Sequence, residues 1–122
     1  MIIIYYVLVL AAFALGALPL AILAFKKKYR VSIPARFFLF KNPKFDALGV
    51  HFHACSFGEV RSIAPLVSRF KDAAAVSVVT KTGFDEAKKI TQNTRFLPFE
   101  IFLPFWLKPT KITIIFEAEL WL

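Results

Sequence analysis

Residues 2 to 25 contain no charged side chain and are almost entirely apolar. As a helix rising about 1.5 Å per residue, this stretch is roughly 36 Å long, enough to cross a hydrocarbon core of about 30 Å with some tilt. The chain is therefore expected to open with a transmembrane helix, leaving about one hundred residues for a water-soluble core. A cleaved signal peptide would carry positive charge ahead of a shorter apolar core. Here Lys26, Lys27, Lys28 and Arg30 follow the run, and the cleavage-like Ala12-Phe13-Ala14 lies inside it. By the positive-inside tendency these cations hold the carboxyl end of the helix in the cytoplasm. The predicted organisation is a single-pass anchor over 1–25, a basic juxtamembrane linker over 26–46 and a cytoplasmic domain over 47–122.

The net charge of +8 comes largely from Lys26 to Lys44, a stretch without any acid. Its cations, Arg36 among them, alternate with Phe37, Phe38, Phe40 and Phe45. Ammonium and guanidinium groups at phosphates with rings in the interface suit a membrane headgroup layer. A topology signal followed by buried phenylalanines explains the same residues. Beside a membrane span, the basic and aromatic content gives no support to nucleic-acid binding. A single cysteine, Cys55, excludes an internal disulfide framework and agrees with a reducing compartment.

Val31 to Lys44, with Pro34 and Pro43, shows no clean period and reads as an irregular or surface-lying segment. Ala47–Cys55 reads as a strand, and Val60, Ile63, Ala64, Val67 and Phe70 recur at helical spacing over Glu59–Phe70, with Pro65 predicting a kink or a later start. Ala73–Thr80 is a valine- and alanine-rich strand, Phe84–Gln92 a helix, Arg95–Pro98 a short strand, and Lys111–Phe116 a strand rich in β-branched residues. This alternation predicts an α/β fold, an N-terminal transmembrane helix followed by a Rossmann-like domain with a mainly parallel sheet. In such sheets the carboxyl ends of all strands share one edge, where ligands bind.

Ser56 to Glu59, Thr80 to Gly83, the loop after Pro98 and Glu117 to Trp121 are expected to converge on that edge. Ser56-Phe57-Gly58-Glu59 fits first a capping box, and as the functional alternative a general base, Glu59, beside a glycine that lets a ligand approach. Thr80-Lys81-Thr82-Gly83 offers hydroxyls, an ammonium and amides to an anion, or else a cap formed by Thr82 with Asp85. Glu117 and Glu119, two apart at a strand end, point the same way, toward the cleft or into solvent. His51, His53 and Cys55 share one strand face, but consecutive positions on one strand make poor tetrahedral geometry, so no metal site is expected and His53 is read as a polar residue lining the cleft.

His53-Ala54-Cys55-Ser56-Phe57-Gly58-Glu59-Val60, Ala64-Pro65-Leu66, Thr80-Lys81-Thr82-Gly83, Leu97-Pro98 and Glu117-Ala118-Glu119-Leu120-Trp121, behind an anchor and basic collar, resemble the amino-terminal half of 3-deoxy-D-manno-octulosonic acid (Kdo) transferases. The combination of H-A-x-S-x-G-E with a later E-x-E-L-W is the specific part. The resemblance implies the N-terminal half of a GT-B glycosyltransferase on the cytoplasmic face of a Gram-negative inner membrane. It would transfer Kdo from the donor substrate CMP-Kdo to a lipid A precursor (lipid IVA), with no metal or other cofactor. Glu59 matches the proposed catalytic base and Glu117 a second carboxylate, with Glu119 its neighbour; Ser56, Gly58, Thr80, Thr82 and Gly83 then fall at the acceptor side. Leu122 stands where the family has proline. With no nucleotide-sugar domain in 47–122, the expectation is a truncated, acceptor-binding half that is inactive alone. The rival expectation is a non-catalytic, membrane-anchored protein that binds lipid or a partner.

Overall fold

The structure, a computed structural model, describes residues 1–44, 48–107 and 110–116. Helix α1 covers Ile2–Leu23 and buries none of its residues. It is apolar all round and long enough to cross a membrane. Pro19 stands inside it.

The domain is a four-stranded parallel sheet, as the alternation of strands and helices predicts. Its strands are β1 (Leu48–Ala54), β2 (Ala74–Val78), β3 (Thr94–Phe96) and β4 (Thr110–Phe116), in spatial order β3-β2-β1-β4. The chain walks outward from β1 to β3 and then returns to place β4 on the other side of β1. This reversal is the switch point at which open α/β sheets bind ligands. Register pairs His51 with Ala75 and Thr113, and His53 with Ser77 and Ile115. Because side chains alternate across a strand, Val50, Phe52 and Ala54 face one side and His51 and His53 the other.

Helices α3 (Phe57–Phe70) and α4 (Lys81–Lys88) cover the first side. Val60, Ile63 and Val67 of α3 pack with Phe52, Val76, Val78 and Ala87 in the main core. Burial on both faces explains why β2 is apolar at every position but Ser77 rather than alternating. On the second side Trp106, from the short helix α5 (Leu103–Trp106), is fully buried against Ala75. β4 is an edge strand with Ile112, Ile114 and Ile115 exposed.

Three local expectations are corrected. Helix α3 starts at Phe57, earlier than its apolar period indicates, and runs through Pro65. Pro65 sits on the exposed face, where water can reach the carbonyl it leaves without an amide partner. Helix α4 starts at Lys81 rather than Phe84, so Lys81, Thr82 and Gly83 form its first turn. The segment over Val31–Lys44 is not irregular throughout, since Ser32–Phe38 forms helix α2 with Ser32, Ile33 and Ala35 buried. Pro34 lies in its first turn, where a missing amide costs nothing.

Helix α2 ends at Leu39 in the left-handed conformation, and Lys41 adopts it as well. Neither is glycine, so each is strained. What holds them is Asn42, only 2% exposed. Its amide donates to the carbonyls of Ala35 (3.1 Å) and Phe96 (2.8 Å), and its Oδ1 accepts from the Phe96 amide (3.0 Å). One side chain thus replaces a fifth strand at the β3 edge and ties the juxtamembrane segment to the sheet. Helix α1 meets the same region through Phe13, which stacks on Phe99 at 5.6 Å and contacts Phe38 and Phe102.

Candidate functional site

Cys55 and Ser56 follow β1 directly, so the first turn of α3 stands at the carboxyl edge of the sheet. There Glu59 turns back on its own helix terminus. One carboxylate oxygen accepts from the Cys55 amide at 2.6 Å and the other from the Ser56 hydroxyl at 3.1 Å. The capping reading is observed in modified form, because Glu59 reaches the amide before the cap residue and Ser56 donates to Glu59. A carboxylate has about four lone-pair sites, so two acceptor positions remain. Glu59 also lines a cavity of about 320 Å³ together with Arg36, His53, Cys55, Ser56, Val79, Thr80 and Leu97. Capping and presentation to a cavity are compatible in one side chain.

His53, on the second face of the sheet, joins this cavity to a buried polar cluster. Ser77, fully buried, lies 2.7 Å from His51 Nε2 and 2.8 Å from His53 Nδ1. Burial pulls the pKa of His51 down to about 4, with the neighbouring His53 adding to the effect. Burial likewise lowers that of His53, against the Ser77 hydrogen bond and the charge of Glu59, which raise it. The imidazole nitrogens are engaged by hydroxyls and by Cys55 Sγ, and among the described residues no group of three His, Cys, Asp or Glu side chains could hold a metal.

A second cavity, about 560 Å³, adjoins the first and shares Arg36, Val79 and Thr80 with it. Its remaining walls include Leu23 at the end of α1, Lys26, Lys28, Ser32, Lys81 and Thr82. Both cavities fall within the usual size range of ligand sites. Arg36 stands between them, its Nε donating to the Leu97 carbonyl at 3.0 Å. Burial lowers its pKa from the ordinary arginine value, with Cys55 opposing, but a guanidinium remains cationic at neutral pH. The basic collar is thereby divided. Lys26, Lys28 and Arg36 line the larger cavity, while Lys27 and Arg30 are exposed and line neither.

Thr80, rather than Thr82, caps α4, its Oγ1 accepting from the Gly83 amide at 3.1 Å. Asp85 pairs instead with Lys81. Gly83 is buried, and a Cβ there would stand 3.0 Å from Thr80 Oγ1 and 3.2 Å from the Ser56 carbonyl carbon. Gly83 is what allows the amino termini of α3 and α4 to close on each other beneath the cavity. Gly83→Ala is expected to lower the stability of the folded chain by about 1–3 kcal/mol, read as a lower urea midpoint at unchanged slope. A Cβ at Gly58, by contrast, meets nothing within 4 Å, so no protein neighbour requires glycine there. Glu117 and Glu119 lie outside the described residues. Two members of the site are not evident in the sequence. Ser77 is hidden inside a valine run, its only signal the register that sets it opposite His53. Arg36 reads as one more headgroup cation.

The structure is thus a parallel α/β domain with a carboxylate at the carboxyl edge of its sheet, beside a basic cavity at the end of an apolar helix long enough to cross a membrane. The chain belongs to the 3-deoxy-D-manno-octulosonic-acid transferase (kdotransferase) family, whose model matches residues 30–122. That is a glycosyltransferase family. No curated protein and no solved structure gave a match.

Proposed function

We propose that this chain supplies the acceptor-binding part of an inverting glycosyltransferase that transfers Kdo from CMP-Kdo to a lipid A precursor. The observation that carries the reading is the pair of adjoining cavities, one presenting Glu59 and the other lined by Lys26, Lys28, Arg36 and Lys81 where α1 ends. A phosphorylated glycolipid has its acyl chains in the bilayer and its phosphates at the surface. Cations at the end of an apolar helix meet those phosphates, and the adjoining cavity receives the sugar. Glu59 then accepts the proton of the acceptor hydroxyl as that oxygen attacks the anomeric carbon of Kdo, and the bond to CMP breaks from the opposite side. CMP leaves as a stabilised phosphate anion, so this scheme uses neither a metal nor a redox cofactor.

In this reading α1 holds the enzyme in the inner membrane with the domain in the cytoplasm, and the basic residues after it fix the orientation. By the family resemblance Glu117 and Glu119 serve as further carboxylates of the site, while Ser56, Gly58, Thr80, Thr82 and Gly83 form the acceptor side. The donor is bound by a separate nucleotide-sugar domain. The test joins this chain to such a domain from the same family and follows CMP-Kdo-dependent transfer in membranes by mass spectrometry, alongside precursor binding by the chain alone in neutral nanodiscs. The expected result is binding by the chain alone and transfer by the joined protein. Binding without transfer in a well-folded joined protein would favour a non-catalytic lipid-binding role, and neither binding nor transfer would sink the acceptor assignment.

A further inference from the structure

His51, His53, Ser77 and Thr113 lie on one face of the sheet, brought together by the register of β1 with β2 and β4. Ser77 sits between the two imidazoles. On their outer sides, His51 Nδ1 is 3.4 Å from Thr113 Oγ1 and His53 Nε2 is 3.5 Å from Cys55 Sγ. Ser77, His51 and His53 are 0%, 1% and 7% exposed. Polar groups buried to this degree must satisfy one another.

A serine hydroxyl has one proton, so it donates to one imidazole and accepts from the other. Two neutral rings, each with one N–H, then leave only two consistent orders. In the first, Thr113 donates to His51 Nδ1, His51 Nε2–H donates to Ser77, Ser77 donates to His53 Nδ1, and His53 keeps its proton on Nε2. In the second every donor and acceptor is exchanged, and the weakly donating Cys55 thiol must start the chain. The first order is favoured because a thiol is the poorest donor of the set. Of the charged groups lining the cavity, Glu59 favours a proton on His53 and Arg36 opposes it.

We infer that Ser77 is a positioning residue that fixes His53 as the Nε2–H tautomer, so that the wall of the Glu59 cavity carries a permanent hydrogen-bond donor for an oxygen of the bound sugar. The sugar part rests on the acceptor reading given above. The tautomer part stands on the hydrogen-bond geometry and on the weakness of a thiol as a donor. At 3.5 Å the Cys55 sulfur is a weak acceptor, readily exchanged for a hydroxyl oxygen. Ser77, within β2 and 0% exposed, acts through His53 rather than by direct contact with the cavity.

The chain contains two histidines, so 15N-histidine labelling of the full chain in detergent micelles gives two imidazoles in a long-range proton–nitrogen correlation spectrum. The expected spectrum at neutral pH shows both rings neutral with the proton on Nε2. His53 protonated on Nδ1, or doubly protonated, would overturn the inference without bearing on Glu59. In Ser77→Ala, His53 is expected to become a mixture of tautomers, and Ser77→Thr, which keeps the hydroxyl, to restore one. An unchanged, single Nε2–H signal in a folded Ser77→Ala protein would show that the serine is not the lock. If the alanine variant does not fold, the wild-type spectrum and Ser77→Thr still decide the tautomer. Finally, titration with a lipid A precursor, under conditions where binding is independently measured, is expected to move the His53 Nε2–H signal and to bind roughly fivefold to tenfold less tightly to Ser77→Ala. Measured binding with that signal unmoved would remove the donor role of His53.

Discussion

Replacing Glu59 by glutamine is expected to lower Kdo transfer by about 10²–10⁴-fold while leaving the fold nearly unchanged. Glutamine has the same shape and keeps one carbonyl oxygen, which can still accept from the Cys55 amide or the Ser56 hydroxyl, the two donors that Glu59 satisfies. What it loses is the capacity to take a proton. The stability change should stay within about 1 kcal/mol. Glu59→Ala removes both acceptors, and it should add a loss of about 1–2 kcal/mol to the same loss of transfer. The pair therefore separates the cap from the base. Transfer retained by Glu59→Gln and lost in Glu59→Ala would make Glu59 a structural residue, and the proton acceptor would have to be sought elsewhere along the sheet edge. The measurement is initial rate in the joined protein, with urea midpoints of both variants as the control for folding.

The elements read most clearly from sequence are those whose pattern has one physical solution. Residues 2 to 25 admit only an apolar helix, and Ile112, Thr113, Ile114 and Ile115 favour a strand wherever they stand. Alternation of strand and helix then leaves a parallel sheet as the economical arrangement, and the strand pairings are parallel. The juxtamembrane segment is harder to read because its cations dominate its appearance. Only packing shows that Ile33 and Ala35 face inward and that Arg36 lines both cavities. Asn42 is the extreme case, a single polar residue with one hydrogen bond to nearby Ala35 and two to Phe96, far along the chain. At the site, Glu59 is legible through its helix-start motif, but Ser77 is not. A serine in a valine run carries no local signal, and its importance comes from which strands lie on either side.

That buried pair of imidazoles also makes the stability of the domain depend on pH. His51 is 1% exposed, enclosed by Ser77, Thr113 and the edge of Trp106, whose ring centroid lies 6.0 Å away. Burial, aided by the neighbouring His53, lowers its pKa from 6.5 to about 4. Between those values the unfolded chain binds a proton that the folded chain refuses, so protons favour unfolding. The contribution is fully present above about pH 6.5 and is lost as the pH falls toward about 4. A difference of about 2.5 pKa units corresponds to about 3 kcal/mol, and His53, shifted in the same direction, adds to it. The expected result is a urea midpoint in mild detergent that drops steeply between about pH 7 and about pH 4.5. Carboxylates titrate through part of this range, so the decisive comparison is with His51→Gln, which keeps a polar side chain without a titrating ring. Its pH dependence should be flatter by most of that amount, even though its stability at neutral pH is lower because the Ser77 contact is altered. Equal slopes in the two proteins would mean that His51 is not held neutral in the folded state, and the hydrogen-bond order across Ser77 would then have to include an imidazolium.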